Sequence, residues 1–173
     1  MTTSDNGIAM GKDFEGFVPV PNNDCDGNAQ VGYGCLIHSG PVDDCDTCKF
    51  YKANPLTEEQ GDALYRKHVA GICDPKLNKL MATCPLTQNQ FDALSDFLYN
   101  EGDFTCDTAN NKFKDNRLLK VLKAGQYGDV PEQLMRWVYG DGKVLPGLAR
   151  RRTAECQMWQ FGTYMAQAAV NGS

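Results

Sequence analysis

The chain has 173 residues and a mass of 19.1 kDa, a length that suits one domain with a real core better than two. Its 42% hydrophobic and 23% charged content is ordinary for a globular protein, and no window approaches the roughly 20 apolar residues that a membrane span requires. The net charge is -5, with basic residues scattered apart from Arg150, Arg151 and Arg152, which argues against nucleic acid as a partner because phosphate binding leans on clustered positive charge.

Eight cysteines are many for this length. An even, high count predicts a disulfide framework and an oxidising compartment, extracellular or periplasmic. Yet Met1 is followed by the polar stretch 2–7, with neither a basic nor an apolar export region, so an export signal has been removed or another route is used. The triplet Asn171-Gly172-Ser173 is a glycosylation sequon.

In chain order, the spacing of Ile8, Met10 and Phe14 predicts a short helix over 8–16, stopped by Gly16 and the prolines Pro19 and Pro21. Residues 17–36 read as a hairpin turning at Asp26-Gly27, a pair suited to positive φ. Residues 39–55 lack periodicity and read as a cysteine-pinned loop. Thr57-Glu58-Glu59-Gln60 is a capping box opening a helix, with Leu64, His68 and Val69 on one face. The same signature recurs at Thr87-Gln88-Asn89-Gln90, and Phe91, Leu94, Phe97 and Leu98 follow at helical spacing up to Gly102. Further helices are predicted over 116–124, 131–139 and 148–161. The result is an α+β, mostly α, single domain over 1–173. A small β-hairpin and loop lobe occupies about residues 17–55, and a helical lobe of about 56–170 packs with the N-terminal helix.

Glu15 ends the first helix, and Asp24 follows nine residues later beside the hairpin. Two carboxylates on separate elements can cleave a glycosidic bond if one stays protonated to donate to the leaving oxygen and the other stays ionised to activate water. Different environments must separate their pKa values. Among 22 acidic residues many such pairs exist, and two solvated carboxylates are the competing explanation.

The series Phe14-Glu15-Gly16-Phe17, Asp24, Gly27 and Val31-Gly32-Tyr33-Gly34 resembles the Glu-Gly, Asp, Gly and Ile-Gly-Tyr-Gly pattern of the phage-type lysozyme family, without a gap. The resemblance continues through Pro55-Leu56-Thr57, residues 86–94, Tyr99-Asn100-Glu101-Gly102, Arg136-Trp137-Val138 and residues 142–155. It implies a lysozyme-like two-lobed fold acting on peptidoglycan glycan strands, with Glu15 as general acid and Asp24 activating the attacking water in an inverting mechanism. Asp26 competes for that second role but is accounted for by turn chemistry before Gly27. At the family's third catalytic position Gln30 replaces the usual Thr, and Cys35 stands where His is usual. A carboxamide can still orient a water with its acceptor and two donors. By motif position, Tyr33 and Gly34 lie at the cleft edge and Tyr99, Asn100 and Arg136 contact sugar. One of the three arginines, taken as Arg151, reaches the cleft and pairs with Glu15. At least one of the three lies on a solvated face.

The activity implied is hydrolysis of the β-1,4 bond between N-acetylmuramic acid and N-acetylglucosamine, causing bacterial wall lysis. The alternatives are a degenerate lysozyme-like domain that binds peptidoglycan or protein without cleaving, kept open by Gln30, and a glycosidase for another amino-sugar polymer such as chitin. No cofactor and no metal are expected: Cys45-x-x-Cys48 lacks the βαβ context of a redox motif, and with His38 it is only half a zinc site without a second ligand pair. A disulfide between Cys73 and Cys84 across a segment between helices is the pairing expected. The protein should be a monomer, with an inhibitor or immunity protein as a further class of partner.

Overall fold

The computed structural model describes residues 1–24, 26–105, 116–140 and 142–165. The sequon at 171–173 lies outside them, as do Cys25 and Cys106. The first helix, α1, spans Asp5–Glu15. Gly16 then adopts φ 70° while its N–H reaches the Lys12 carbonyl at 3.0 Å, a left-handed helix stop that suits glycine. Next comes an antiparallel sheet of β1 (Val18–Asn23), β2 (Ala29–Gly32) and β3 (Cys35–His38), ordered β1-β2-β3. Val18 faces Gly32, Asn23 faces Ala29, and Val31 faces Cys35, with irregular register inside both pairs.

Residues 39–55 hold more regular structure than their lack of periodicity predicts. A 3-10 turn over Val42–Asp44 leads into α2 (Asp46–Ala53). Its cap is the Cys45 sulfur, which accepts the Cys48 N–H at 3.1 Å. A cysteine cap carries no Ser, Thr, Asp or Asn signature, so a composition-based reading passes over it. Helix α3 (Glu58–His68) starts at the predicted capping box: Thr57 Oγ1 accepts the Gln60 N–H, and Gln60 Oε1 accepts the Thr57 N–H.

A π-helical stretch over Val69–Cys73 leads into α4 (Asp74–Met81). Residues 74–81, expected to be a connection between helices, are therefore a helix. Then come α5 (Gln88–Glu101), α6 (Arg117–Lys123) capped by the Asn116 side chain, α7 (Val130–Leu134), the hairpin β4 (Tyr139–Gly140) with β5 (Lys143–Val144), and α8 (Pro146–Phe161). The predicted helix over 131–139 is thus short, and its last residue opens a strand. Among the described residues no helix is long and apolar enough to cross a membrane.

Two compact units emerge, one of residues 11–69 and one of residues 1–10 with 70–173. The boundary falls at Val69, later than the expected change near residue 56, because α3 packs onto the sheet. The Gly61 Cα comes 3.6 Å from where a Gly32 Cβ would stand. Half-buried Phe17 and buried Tyr33 and Tyr65 form an aromatic row with centroid spacings of 5.4 and 6.0 Å. Behind the strands, Ala29, Val42, Cys45 and Cys48 form a second small core joined by Ile37.

In the larger unit, α5 is buried along the run from Phe91 to Leu98 and packs on α8. Asn89 Nδ2 donates to the carbonyls of Met158 and Trp159 at 2.9 and 3.0 Å. Two of its buried polar side chains are satisfied mostly by distant partners. Asp92 accepts from Ser4, Gln88 and Tyr164, and Ser95 meets Thr3 at 2.7 Å. The Tyr164 hydroxyl is pushed up to about 12 by burial and by its bond to Asp92.

The six described cysteines, Cys35, Cys45, Cys48, Cys73, Cys84 and Cys156, are all buried. The expected Cys73 to Cys84 bond is not formed in the structure, and the two residues flank α4. These thiols act instead as small apolar core groups. Burial pushes Cys73 and Cys156 up to about 12.

Candidate active site

Three of the residues singled out by sequence converge in the unit of residues 11–69. Glu15 is the last residue of α1. Gly34 links β2 to β3 with φ 69°. A Cβ placed on Gly34 would stand 2.8 Å from Glu15 Oε2, 3.4 Å from Glu15 Cδ and 3.7 Å from Gln30 Oε1. Gly34 is therefore required twice, by its backbone conformation and by the close approach of a carboxylate. Gln30 sits on β2 between the buried Ala29 and Val31, so the two-residue period of the strand turns it away from their face. Among the described residues its carboxamide has no hydrogen-bond partner, leaving an acceptor and two donors beside Glu15.

Asp24 occupies the turn between β1 and β2. Its Oδ1 accepts the Asp26 N–H at 2.9 Å and the Asn28 N–H at 2.8 Å, while Oδ2 lies 3.5 Å from Asn28 Nδ2. The Asp24 N–H reaches the Asn28 carbonyl at 2.8 Å, and the Gly27 N–H reaches the Asp24 carbonyl at 3.1 Å. This corrects the elimination of Asp26 on turn grounds. Asp24 is itself the side chain that organises the turn, and Asp26 is exposed with only its backbone engaged. One Asp24 oxygen is committed to backbone donors, and Oδ2 carries the weaker contact.

Tyr33, expected at a cleft edge, is 4% exposed. Its ring lies in the aromatic row, its hydroxyl donates to Glu58 Oε1 at 3.1 Å, and the Lys12 ammonium stands 5.0 Å from its centroid. Burial, then the bond to Glu58, push its hydroxyl above the ordinary tyrosine value. Lys12, one turn before Glu15 on α1, is bonded to Asp62, which also accepts from Arg66 at 2.7 Å. The Lys12 bond holds the Asp62 carboxyl below the usual carboxylate range, against its partial burial.

The remaining candidates belong to the other unit. Tyr99 and Asn100 lie half-buried in the last turn of α5, and Arg136 is exposed after α7. The Asn100 carbonyl oxygen accepts Arg152 Nη2 at 2.8 Å. Arg151 was expected to pair with Glu15, but its Nε and Nη2 both lie on Asp96, at 2.8 and 2.9 Å. None of the three arginines is exposed, so the expectation of a solvated face is corrected too. Arg152 is fully buried, packed 4.8 Å over the Phe97 ring, and bonded to Glu101 at 3.1 Å and Glu155 at 2.6 Å.

The buried acids Asp96 and Glu155 were missed at the level of sequence. Their signal was available: Asp92 and Asp96 fall within the unbroken buried run of α5, where charge requires partners. Burial pushes Asp96 up, but the Arg151 charge and hydrogen bonds outweigh it and hold that carboxyl below its ordinary value. Burial drives Glu155 well above its own, against the pull of Arg152. Glu155 Oε2, by contrast, is buried with no hydrogen-bond partner among the described residues. Among the described residues no group of His, Cys, Asp and Glu could hold a metal ion.

The chain is similar to known proteins over most of its length. The phage lysozyme family model matches residues 12–155. The chain is 29% identical to an endolysin of Acyrthosiphon pisum secondary endosymbiont phage 1, over 92% of this chain and 99% of that protein. It is 30% identical to the SAR-endolysin of Escherichia phage Mu, over 86% and 75%. Against the endolysin of Bacillus phage B103 the identity is 31% over 94% of this chain, which spans 55% of that longer protein. Among solved structures, the muramidase domain of SpmX from Asticaccaulis excentricus superposes with a TM-score of 0.68 at 28% identity, covering 92% of this chain and 97% of that one. The active form of the P1 phage endolysin Lyz shares the fold, with a TM-score of 0.69 at 21% identity over 92% and 85% of the two chains. A carboxylate at the end of the first helix, held against a glycine of the β2–β3 link, therefore sits in a chain that belongs to the phage lysozyme family of glycoside hydrolases.

Proposed function

We propose that the protein is a muramidase that hydrolyses the β-1,4 bond between N-acetylmuramic acid and N-acetylglucosamine in peptidoglycan, with inversion. The observation that carries this reading is the Glu15 carboxylate beside Gly34, with the unpartnered Gln30 carboxamide in the same neighbourhood. Glu15, protonated, gives its proton to the glycosidic oxygen as the bond to the anomeric carbon breaks. Water attacks that carbon from the opposite face and loses its proton to Asp24, whose Oδ2 is the less engaged oxygen. Gln30 orients the water. The product is an α-configured reducing N-acetylmuramic acid end.

A binding-only domain is the second reading, favoured by one observation: the other Asp24 oxygen is occupied by turn amides. Mass spectrometry of fragments released from purified peptidoglycan distinguishes the two. Wild type should release fragments with reducing N-acetylmuramic acid ends, and folded Glu15→Gln should release none. Absence of release by folded wild type would favour binding, and reducing N-acetylglucosamine ends would reject the bond assignment.

A further inference from the structure

The small core behind the sheet contains two thiols that the glycosidase reading does not use. Cys45 and Cys48 supply two of its buried residues, beside Ala29 and Val42. The Cys45 sulfur sits at the N-cap of α2 and accepts the Cys48 N–H at 3.1 Å. Two cysteines three residues apart at a helix start, with the Cys45 sulfur already turned onto the Cys48 backbone, are placed to join. Cys45 retains 4% exposure and Cys48 none, so an incoming reagent meets Cys45 first.

This core is joined to the turn that carries Asp24. The Val42 N–H donates to Asn23 Oδ1 at 2.9 Å, and the Ala29 N–H donates to the Gly40 carbonyl at 2.9 Å. Asn23 and Ala29 are paired residues at the two ends of the Asp24 turn. The segment 40–42, which leads into Cys45, therefore holds both ends of that turn.

We propose that Cys45 and Cys48 form a reversible dithiol and disulfide couple whose oxidation clips the start of α2 and stiffens the Asp24 turn. The oxidant is a small-molecule disulfide such as oxidised glutathione. The Cys45 thiolate attacks one of its sulfurs, forming a mixed disulfide and releasing one glutathione thiolate. The Cys48 thiolate then attacks the Cys45 sulfur, forming the internal bond and releasing the second. The two protons lost by the cysteines end on the two glutathione thiolates, and the protein has lost two electrons. Burial, then the neighbouring Cys45, push the Cys48 thiol up to about 11, so the second step should accelerate as pH rises toward that value.

The proposal rests on the muramidase reading only for the importance of Asp24, and its test needs no peptidoglycan. The full chain is equilibrated in glutathione buffers of graded thiol to disulfide ratio, quenched in acid, alkylated while denatured and mapped by peptide mass. A Cys45–Cys48 peptide lighter by two hydrogen masses should grow with the oxidised fraction and vanish with dithiothreitol. Full alkylation of both residues at the oxidising end, or separate glutathione adducts on each as the final state, overturns the couple. Amide hydrogen exchange of the folded chain reads the linkage: Asp26, Asn28 and Ala29 should exchange several-fold more slowly when oxidised, and equal rates overturn the stiffening. The Cys45→Ser/Cys48→Ser double variant should lose all redox dependence, and dependence that persists overturns the assignment. If that variant does not fold, Cys48→Ala alone should trap glutathione on Cys45, and an unmodified Cys45 overturns the mechanism.

Discussion

Replacing Gly34 by alanine separates the two reasons for a glycine beside Glu15. The first is conformational: at φ 69° a side chain costs about 1–2 kcal/mol. The second is steric: the new Cβ would stand 2.8 Å from Glu15 Oε2, so restoring an ordinary carbon to oxygen contact displaces the carboxylate by about 0.6 Å. Misplacement of a reacting group on the order of 1 Å costs up to about 10²-fold in rate, so a loss of tens of fold in kcat is expected from Gly34→Ala. Gly125→Ala is the matched control. Gly125 has φ 70° and nothing within 4 Å of its Cβ position, so it should lose the same stability and keep wild-type turnover. Release of reducing ends from peptidoglycan gives kcat and KM, and urea denaturation gives stability. If folded Gly34→Ala turns over like Gly125→Ala, the Glu15 carboxylate is not working from this position and the site is wrong.

The buried charge cluster yields two further predictions. Glu155 has a raised folded pKa, so its contribution is complete below the unfolded value of about 4.3 and is lost as pH rises through the folded one. Glu155→Gln keeps an acceptor for Arg152, and its melting temperature should fall less than that of wild type as pH rises above that unfolded value; parallel profiles would reject a raised Glu155 pKa. Arg151→Ala should cost about 3–5 kcal/mol in urea denaturation by stranding the buried Asp96 carboxylate, whereas a loss under about 1 kcal/mol would show that the pair is solvated.

The helices with local punctuation were legible in the sequence. Thr57 and Thr87 opened helices where their capping pattern placed them, and Gly16 and Gly102 closed theirs, because caps and stops are satisfied within a few residues. Helix α2 was not legible, since its cap is a cysteine whose other role is core packing. Helix α4 was hidden in what looked like a connection, continuous with α3 through the π-helical stretch at 69–73.

The site divides along the same line. Glu15 and Asp24 were candidates from their placement on separate elements, and the resemblance to the phage-type lysozyme pattern added Gln30 and Gly34 to them. Which contacts those residues make was decided by the tertiary structure: Asp24 binds the turn, Tyr33 is buried among Phe17 and Tyr65, and Arg151 meets Asp96 across helices α5 and α8. That Cys73 and Cys84 are not joined is likewise a matter of tertiary structure, which cysteine number and spacing do not encode. Local sequence sets caps, turns and strand alternation because their partners lie within one helical turn or one hairpin. Burial and charge pairing depend on residues tens of positions apart, and only packing brings those together.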